Sequence, residues 1–142
     1  MKTTARNQFH GTVRSVNSAP VSAQVVLALA GGVEIVATMT RASAERLQPR
    51  QGQAVVGLIK ASAVALVTDF NGYRLSTRNQ LAGKAPRVDR GAVSSLVVLD
   101  VGADLRGSGS VTNNAVDDLG LSVGKAVTAV FKAYAVIVGV KP

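Results

Sequence analysis

"ARNQFHG" at residues 5–11 returns as "TRNQLAG" at residues 77–83, half a chain later. An offset of 72 residues (78 − 6) places Arg6 on Arg78 and then holds without a gap to the end of the chain. At this offset, 19 of the 63 paired positions between 6 and 68 are identical. The period is too long for a solenoid unit and fits a small domain copied once. The repeat therefore predicts two domains, residues 1–69 and residues 70–142.

Each copy has the pattern of a small β domain. Runs rich in β-branched and apolar residues predict five strands in the first copy, at residues 6–17, 23–29, 33–39, 54–60 and 63–67. Between the third and fourth, residues 40–52 predict a short helix that Thr40 caps, with Leu47 facing inward and Pro49 and Gly52 ending it. The order β-β-β-α-β-β is that of the OB fold. We therefore expect an all-β protein with short helices, built as two tandem OB-fold-like five-stranded barrels.

The third strand of the second copy is the weakest of the predicted strands. "LRGSGSV" at residues 105–111 contains few residues that favour strands. We interpret it as a weakened or bulged edge strand rather than as a glycine-rich phosphate loop.

Size and composition indicate a cytoplasmic oligomer. Domains of about 70 residues bury little surface, and association commonly supplies the rest of their core. The chain has no cysteine, so a disulfide framework is excluded. No apolar run near Met1 suggests a signal peptide, and no stretch of 18 apolar residues could span a membrane.

The charge of the chain suggests an anionic ligand. The formal net charge of +8 divides equally, as seven basic minus three acidic residues in 1–69 and nine minus five in 70–142. The basic residues are spread singly rather than in the blocks that follow a phosphate backbone. The pattern therefore calls for small anions and does not require a polymer.

Two classes of function lack their chemistry. An enzyme is not expected, because the only histidine, His10, is replaced by Ala82 at the equivalent position of the second copy, and no pair of carboxylates recurs. The His and Cys ligands that a transition-metal cation needs are also missing. Single-stranded nucleic acid would need aromatic platforms on the strands, and the chain has only five aromatic residues: Phe9, Phe70, Tyr73, Phe131 and Tyr134.

Groups suited to a small oxyanion recur in both copies. They are an arginine, a hydroxyl two residues before it, a lysine at the end of the fourth strand and a threonine at the start of the helix: Arg6 and Arg78, Thr4 and Ser76, Lys60 and Lys132, Thr40 and Thr112. Together they offer a guanidinium fork, an ammonium, hydroxyls and free helix-start N–H groups. Taken singly, each is better explained by a helix cap or a solvated surface charge, and it is the recurrence in both copies that favours a binding role.

The two copies resemble the molybdate-binding Mop domain, a TOBE-type OB module. The resemblance rests on "TTARNQFHGTV" and "LSTRNQLAGKA", followed by "GLIKAS" and "AVFKAY". The tandem arrangement over essentially the whole chain, with no DNA-binding or ATPase domain attached, is similar to the di-Mop molbindins (ModG-like proteins). This resemblance implies a cytoplasmic protein that stores or regulates molybdenum by binding molybdate, and also tungstate, without a cofactor and without transforming the anion.

The resemblance also implies where the anion binds. In that family it lies between neighbouring modules, and two-module chains assemble as homotrimers. Carried over to this sequence, one type of site contains Thr4, Arg6, Lys60, Ala61 and Ser62, with Thr40 and Ser43 from an adjoining module. The counterparts are Ser76, Arg78, Lys132, Ala133, Tyr134 and Thr112. Because Tyr134 replaces Ser62 and Ala115 replaces Ser43, we expect sites built from different modules to differ.

Two alternatives remain open at this stage. The basic pI and the OB pattern are compatible with a nucleic-acid-binding protein, although the aromatic residues are few. The same domain, fused to regulators and transporters, also suggests an interaction or regulatory module that responds to molybdate.

Overall fold

The computed structural model describes all 142 residues of the chain. It contains ten strands and two short α-helices. Neither helix is long and apolar enough to span a bilayer. The elements are β1 (Asn7–Ser18), β2 (Ser22–Ala28), β3 (Glu34–Thr40), α1 (Arg41–Leu47), β4 (Ala54–Ile59), β5 (Ala65–Val67), β6 (Asn79–Arg90), β7 (Ser94–Asp100), β8 (Arg106–Thr112), α2 (Asn113–Leu119), β9 (Ala126–Phe131) and β10 (Ile137–Val140).

The predicted fold class is confirmed, since the order β-β-β-α-β-β occurs twice in antiparallel five-stranded sheets. The helix signals also hold. The Ser43 N–H donates to Thr40 Oγ1 at 3.1 Å, and α1 ends at Leu47 before a left-handed Gln48 and Pro49. One detail differs, because Ala44 is the buried residue of α1 and Leu47 is only half-buried.

The two copies exchange their fifth strands. The first sheet has the order β10-β4-β1-β2-β3 and the second β5-β9-β6-β7-β8. Thus Ala65–Val67 of the first copy pairs with β9, and Ile137–Val140 of the second pairs with β4. The expectation that each barrel uses five strands of its own copy was therefore wrong. The boundary between residues 69 and 70 separates the repeats in sequence and stays a prediction as a domain boundary, because neither sheet is complete on one side of it.

One hydrophobic core joins the two sheets. A continuous cluster of 20 buried residues includes Phe9 and Leu27 from the first copy and Leu81 and Leu99 from the second. Burying a side chain of this size stabilises a fold by about 1.5–3 kcal/mol. Neither copy alone provides this core, which explains how domains of marginal size form a stable unit.

The repeated asparagine links the two halves directly. Asn7 is 1% exposed, and its Nδ2 donates to the carbonyls of Ile59 (3.0 Å) and Ser108 (2.9 Å) while its Oδ1 accepts from the Ser108 N–H (2.6 Å). Asn79 does the same on the other side, donating to the Val36 carbonyl (2.7 Å) and accepting from the Val36 N–H (2.8 Å). Asn7 therefore binds backbone groups of the edge strand β8, and Asn79 those of the edge strand β3, which the sheets themselves leave unpaired.

The glycines of β8 make room for the first half. The prediction of an edge strand is confirmed, although β8 pairs with β7 without a bulge. A Cβ on Gly107 would lie 3.2 Å from Asn7 Oδ1, and one on Gly109 would lie 3.2 Å from the Leu66 side chain. The poor strand composition is therefore explained by close approach of the other copy rather than by a phosphate loop.

The repeated glycine has a steric role of the same kind. A Cβ on Gly83 would lie 2.1 Å from the Asp100 carbonyl oxygen, and one on Gly11 would lie 2.2 Å from that of Ala28. Each contact is between β-strands near a register shift in the pairing, so the backbone itself would have to move.

Gly83→Ala is therefore expected to lower the free energy of unfolding by about 1–3 kcal/mol, the cost of overpacking a tight site. Chemical denaturation followed by circular dichroism measures this change. The neighbouring exposed substitution Ala82→Ser is the control, with an expected change below about 0.5 kcal/mol. Equal stability of the two variants would contradict the steric role of Gly83.

Candidate functional site

An open cleft of about 540 Å³ lies between the two halves of the chain. From the first copy it receives the five residues predicted for one site: Thr4, Arg6, Lys60, Ala61 and Ser62. From the second copy it receives the end of the β6–β7 hairpin and one residue of β8: Asp89, Arg90, Gly91, Ser94, Ser95, Leu96 and Ser110. The structure thus brings the five predicted residues together, and their role in binding an anion stays a prediction.

Local structure holds the lysine and the small residues after it at the cleft. Lys60 is extended and precedes a single 3₁₀ turn, Ala61–Ala63, closed by the Ala63 N–H donating to the Lys60 carbonyl at 2.9 Å. The first N–H groups of such a turn, those of Ala61 and Ser62, have no partner within it. The turn packs against β8, so strand exchange and the placement of these groups have the same origin.

The cleft carries excess positive charge. Arg6, Lys60 and Arg90 all line it, with Asp89 as its only carboxylate. None of the four ion pairs of the structure includes Arg6 or Lys60, whereas Arg90 is bound to Asp117 at 2.7 Å. Two cations, two exposed hydroxyls on Thr4 and Ser62 and a turn with free N–H groups form a set of donors suited to an oxyanion.

The carboxylate of Asp89 is itself held by a cation. Arg87 Nε donates to its two oxygens at 2.8 and 2.9 Å. This hydrogen bonding, with the nearby charges of Arg87 and Arg6, holds the pKa of Asp89 below its ordinary value. Asp89 is therefore a fixed negative charge at neutral pH.

The second copy places its counterparts against the first in the same way. Arg78 Nη1 donates to Gln24 Oε1 at 3.0 Å, and Gln24 occupies the repeat position of Leu96 in the first cleft. Lys132 precedes the turn Ala133–Ala135, which packs against β3. Ser76 is exposed, and Tyr134, 69% exposed, stands where the first copy has Ser62. The side chains of the two combinations therefore differ, and a difference in anion binding between them stays a prediction.

The predicted helix-start residues lie outside the cleft. Thr40 and Thr112 cap α1 and α2, accepting from the N–H groups of Ser43 (3.1 Å) and Ala115 (3.2 Å). Within one chain Thr40, Ser43 and Thr112 do not line the cleft with Arg6 and Lys60. That Thr40 and Ser43 reach an anion from an adjoining module stays a prediction.

Sequence reasoning missed the residues that the second copy contributes to the cleft. The signal was present for Ser94, which is identical to Ser22 in the repeat, and for Asp89 and Arg90, where the repeat changes from Asn17 and Ser18. A position at which one copy of a repeated domain is charged and the other is neutral is a candidate for a difference in function between the copies.

Comparison with known proteins places these observations in a family. The TOBE domain family matches residues 3–66 and again residues 75–138. The molybdenum transport protein ModE of Herbaspirillum seropedicae is 55% identical over 141 residues, 99% of this chain and 52% of that protein. The molybdenum-pterin-binding protein MopA of Rhodobacter capsulatus is 36% identical over 137 residues, 96% of this chain and 52% of that protein. The chain thus spans about half the length of these curated relatives.

A solved structure is similar over its full length. The cytoplasmic molybdate-binding protein ModG, in a crystal form with molybdate bound, is 42% identical and superposes with a TM-score of 0.96, covering 99% of this chain and all of that chain. The resemblance noted in the sequence is confirmed by these matches. The chain therefore belongs to the TOBE domain family and carries two Mop-type copies of that domain in tandem.

Proposed function

We propose that this protein binds molybdate, and also tungstate, as an intact oxyanion and serves to store and buffer molybdenum in the cytoplasm. The observation that carries the proposal is the cleft in which Arg6 and Lys60 stand without carboxylate partners beside exposed hydroxyls. The similarity to ModG, a molybdate-bound protein, over the full chain supports the choice of anion.

The chemistry of the cleft fits such a ligand. Molybdate is a tetrahedral dianion at neutral pH and accepts hydrogen bonds without donating any. A guanidinium, an ammonium, hydroxyls and N–H groups supply donors, and charge-assisted bonds of this kind are stronger than neutral ones. No step of covalent chemistry follows from these groups, so we propose binding without turnover and without a cofactor.

The proposed sites combine residues of different modules. The first contains Thr4, Arg6, Lys60, Ala61 and Ser62, and the second contains Ser76, Arg78, Lys132, Ala133 and Tyr134. The hydroxyls of Thr40, Ser43 and Thr112 join sites formed with an adjoining module. Each set holds at least two cations, which offset the two charges of the anion.

We propose further that the chain assembles as a homotrimer. Val21 and Val93 are equivalent in the repeat and are 80% and 75% exposed. Their carbonyls accept from the N–H groups of Arg41 and Asn113, which places both valines beside the helix starts capped by Thr40 and Thr112. Two exposed apolar side chains next to the predicted hydroxyls favour contact between copies at this end.

Titration of the anion-free protein with molybdate, with sulfate in excess, tests the proposal. We expect sulfate-resistant uptake of more than one molybdate per chain, counted by elemental analysis, and an isotherm that needs more than one class of site. The reason for unequal classes is the replacement of Ser62 by Tyr134 and the hydrogen bond between Arg78 and Gln24. Absence of molybdate binding would contradict the function, and a single class of identical sites would contradict the inequality.

A regulatory role is the second candidate. It is favoured by the finding that this chain corresponds to about half of ModE, so that the same pair of domains occurs within a longer protein. Molybdate-dependent capture of one partner protein would support this role over storage.

Binding to a single-stranded oligonucleotide without molybdate, weakened by salt, would instead support the nucleic-acid alternative.

A further inference from the structure

The end of the hairpin that lines the first cleft differs in charge from its repeat counterpart at three positions, with Arg87 for Ser15, Asp89 for Asn17 and Arg90 for Ser18. Asp89, at the end of β6, lines the first cleft together with Arg6. In the repeat, Asp89 corresponds to Asn17 at the end of β1, which pairs with Gln24, the residue that accepts a hydrogen bond from Arg78. The first cleft therefore contains a carboxylate, accompanied by Arg87 and Arg90, where the other copy has a neutral amide of nearly the same shape.

The carboxylate of Asp89 is held in an ion pair at the cleft. Arg87 holds both of its oxygens, and the Asp89 side chain is 43% exposed. A negative charge fixed beside an anion site raises the energy of a bound anion in proportion to the charge of that anion. The ion pair with Arg87 offsets part of this repulsion, and the repulsion falls as the ionic strength rises because the carboxylate is exposed.

We infer that Asp89 is a selectivity-determining residue, which lowers the affinity of the first cleft for doubly charged tetrahedral oxyanions more than for singly charged ones. The inference rests on the proposed function of that cleft. It assigns to Asp89 a role opposite to that of Arg6 and Lys60. The second combination, with Asn17, lacks this discrimination by charge.

A pair of anions that differ mainly in charge makes the effect measurable. Molybdate carries two negative charges, and perrhenate is a tetrahedral oxyanion of similar size with one. Because Coulomb energy is linear in ligand charge, the fold-change for perrhenate is the square root of that for molybdate. For Asp89→Asn we expect affinity for molybdate at the first cleft to rise about tenfold and affinity for perrhenate to rise about threefold.

The experiment is calorimetric titration of the full chain with each anion at one ionic strength. Asn17→Asp is the reciprocal variant and is expected to weaken molybdate binding more than perrhenate binding at the other class of site. Asp104→Asn is the matched control, because this substitution removes the same charge at a residue that is exposed in the turn between β7 and β8 and does not line the cleft. Its affinities for both anions should stay within about twofold of the unsubstituted protein.

The outcomes separate this inference from the proposed function. If the unsubstituted chain binds molybdate but Asp89→Asn leaves its affinity unchanged, or changes both anions by the same factor, the role of Asp89 is wrong and the molybdate site stands. If Asp104→Asn has the same effect as Asp89→Asn, the effect is one of net charge and the role of Asp89 is again wrong. If the unsubstituted chain binds no molybdate, the proposed function fails and this inference fails with it.

Discussion

Asn7→Ala is expected to lower the free energy of unfolding by about 3–5 kcal/mol, the largest effect of any substitution in the repeated motif. The amide makes three hydrogen bonds, two to Ser108 and one to the Ile59 carbonyl, from a side chain that is 1% exposed. Alanine would leave these backbone groups without a partner, and each unsatisfied buried group costs about 1–3 kcal/mol. Equilibrium denaturation monitored by circular dichroism gives the value.

The second copy supplies both a repetition of this test and its control. Asn79→Ala should be destabilising for the same reason, since it leaves the N–H and the carbonyl of Val36, a residue that is 4% exposed, without their hydrogen-bond partner. Gln80→Ala, one residue away, removes an exposed side chain and one bond to the Thr77 carbonyl, so its effect should stay below about 0.5 kcal/mol. A change of less than about 1 kcal/mol in both asparagine variants would mean that the amides do not join the halves.

The elements of this fold could be predicted from local pattern because each depends on local physics. The cap at Thr40 requires only a hydroxyl before an N–H three residues on, and the order of strands follows from alternating apolar runs separated by turns. The repeat then doubled the evidence for every element. The cap and the order of strands do not depend on how the two copies pack against each other.

Strand exchange could not be predicted, because the repeat makes its alternatives equivalent in pattern. β4 and β9 are both apolar strands of six residues, and the apolar patterns of β5 and β10 do not distinguish one of them from the other as a partner. The choice depends on the path of the turn Ala61–Ala63 and on the room that Gly107 and Gly109 leave for the first copy. Such contacts between halves carry no periodic signal in the sequence.

The candidate site divides in the same way. Thr4, Arg6 and Lys60 were predicted together and line one cleft, because they flank strands β1 and β4, which pair directly. Asp89 and Arg90 lie more than 80 residues away from Arg6 along the chain (89 − 6 = 83), and only the docking of the halves brings them near. Their departure from the repeat, rather than any motif, was the available signal.

Arg6→Ala is expected to weaken molybdate binding at the first cleft by about 10- to 150-fold. The guanidinium has no carboxylate partner in the protein, so its charge and its donors are available to the anion. Losing one charge-assisted hydrogen bond to a dianion costs about 1.5–3 kcal/mol, which corresponds to this range of dissociation constants. Arg46→Ala is the matched control, because it removes the same charge from an exposed position of α1 outside the cleft, and it should leave affinity within about twofold. Isothermal titration of both variants with molybdate decides the matter: equal affinities would remove Arg6 from the site, whereas a loss confined to one class of sites would assign that class to the cleft around Arg6.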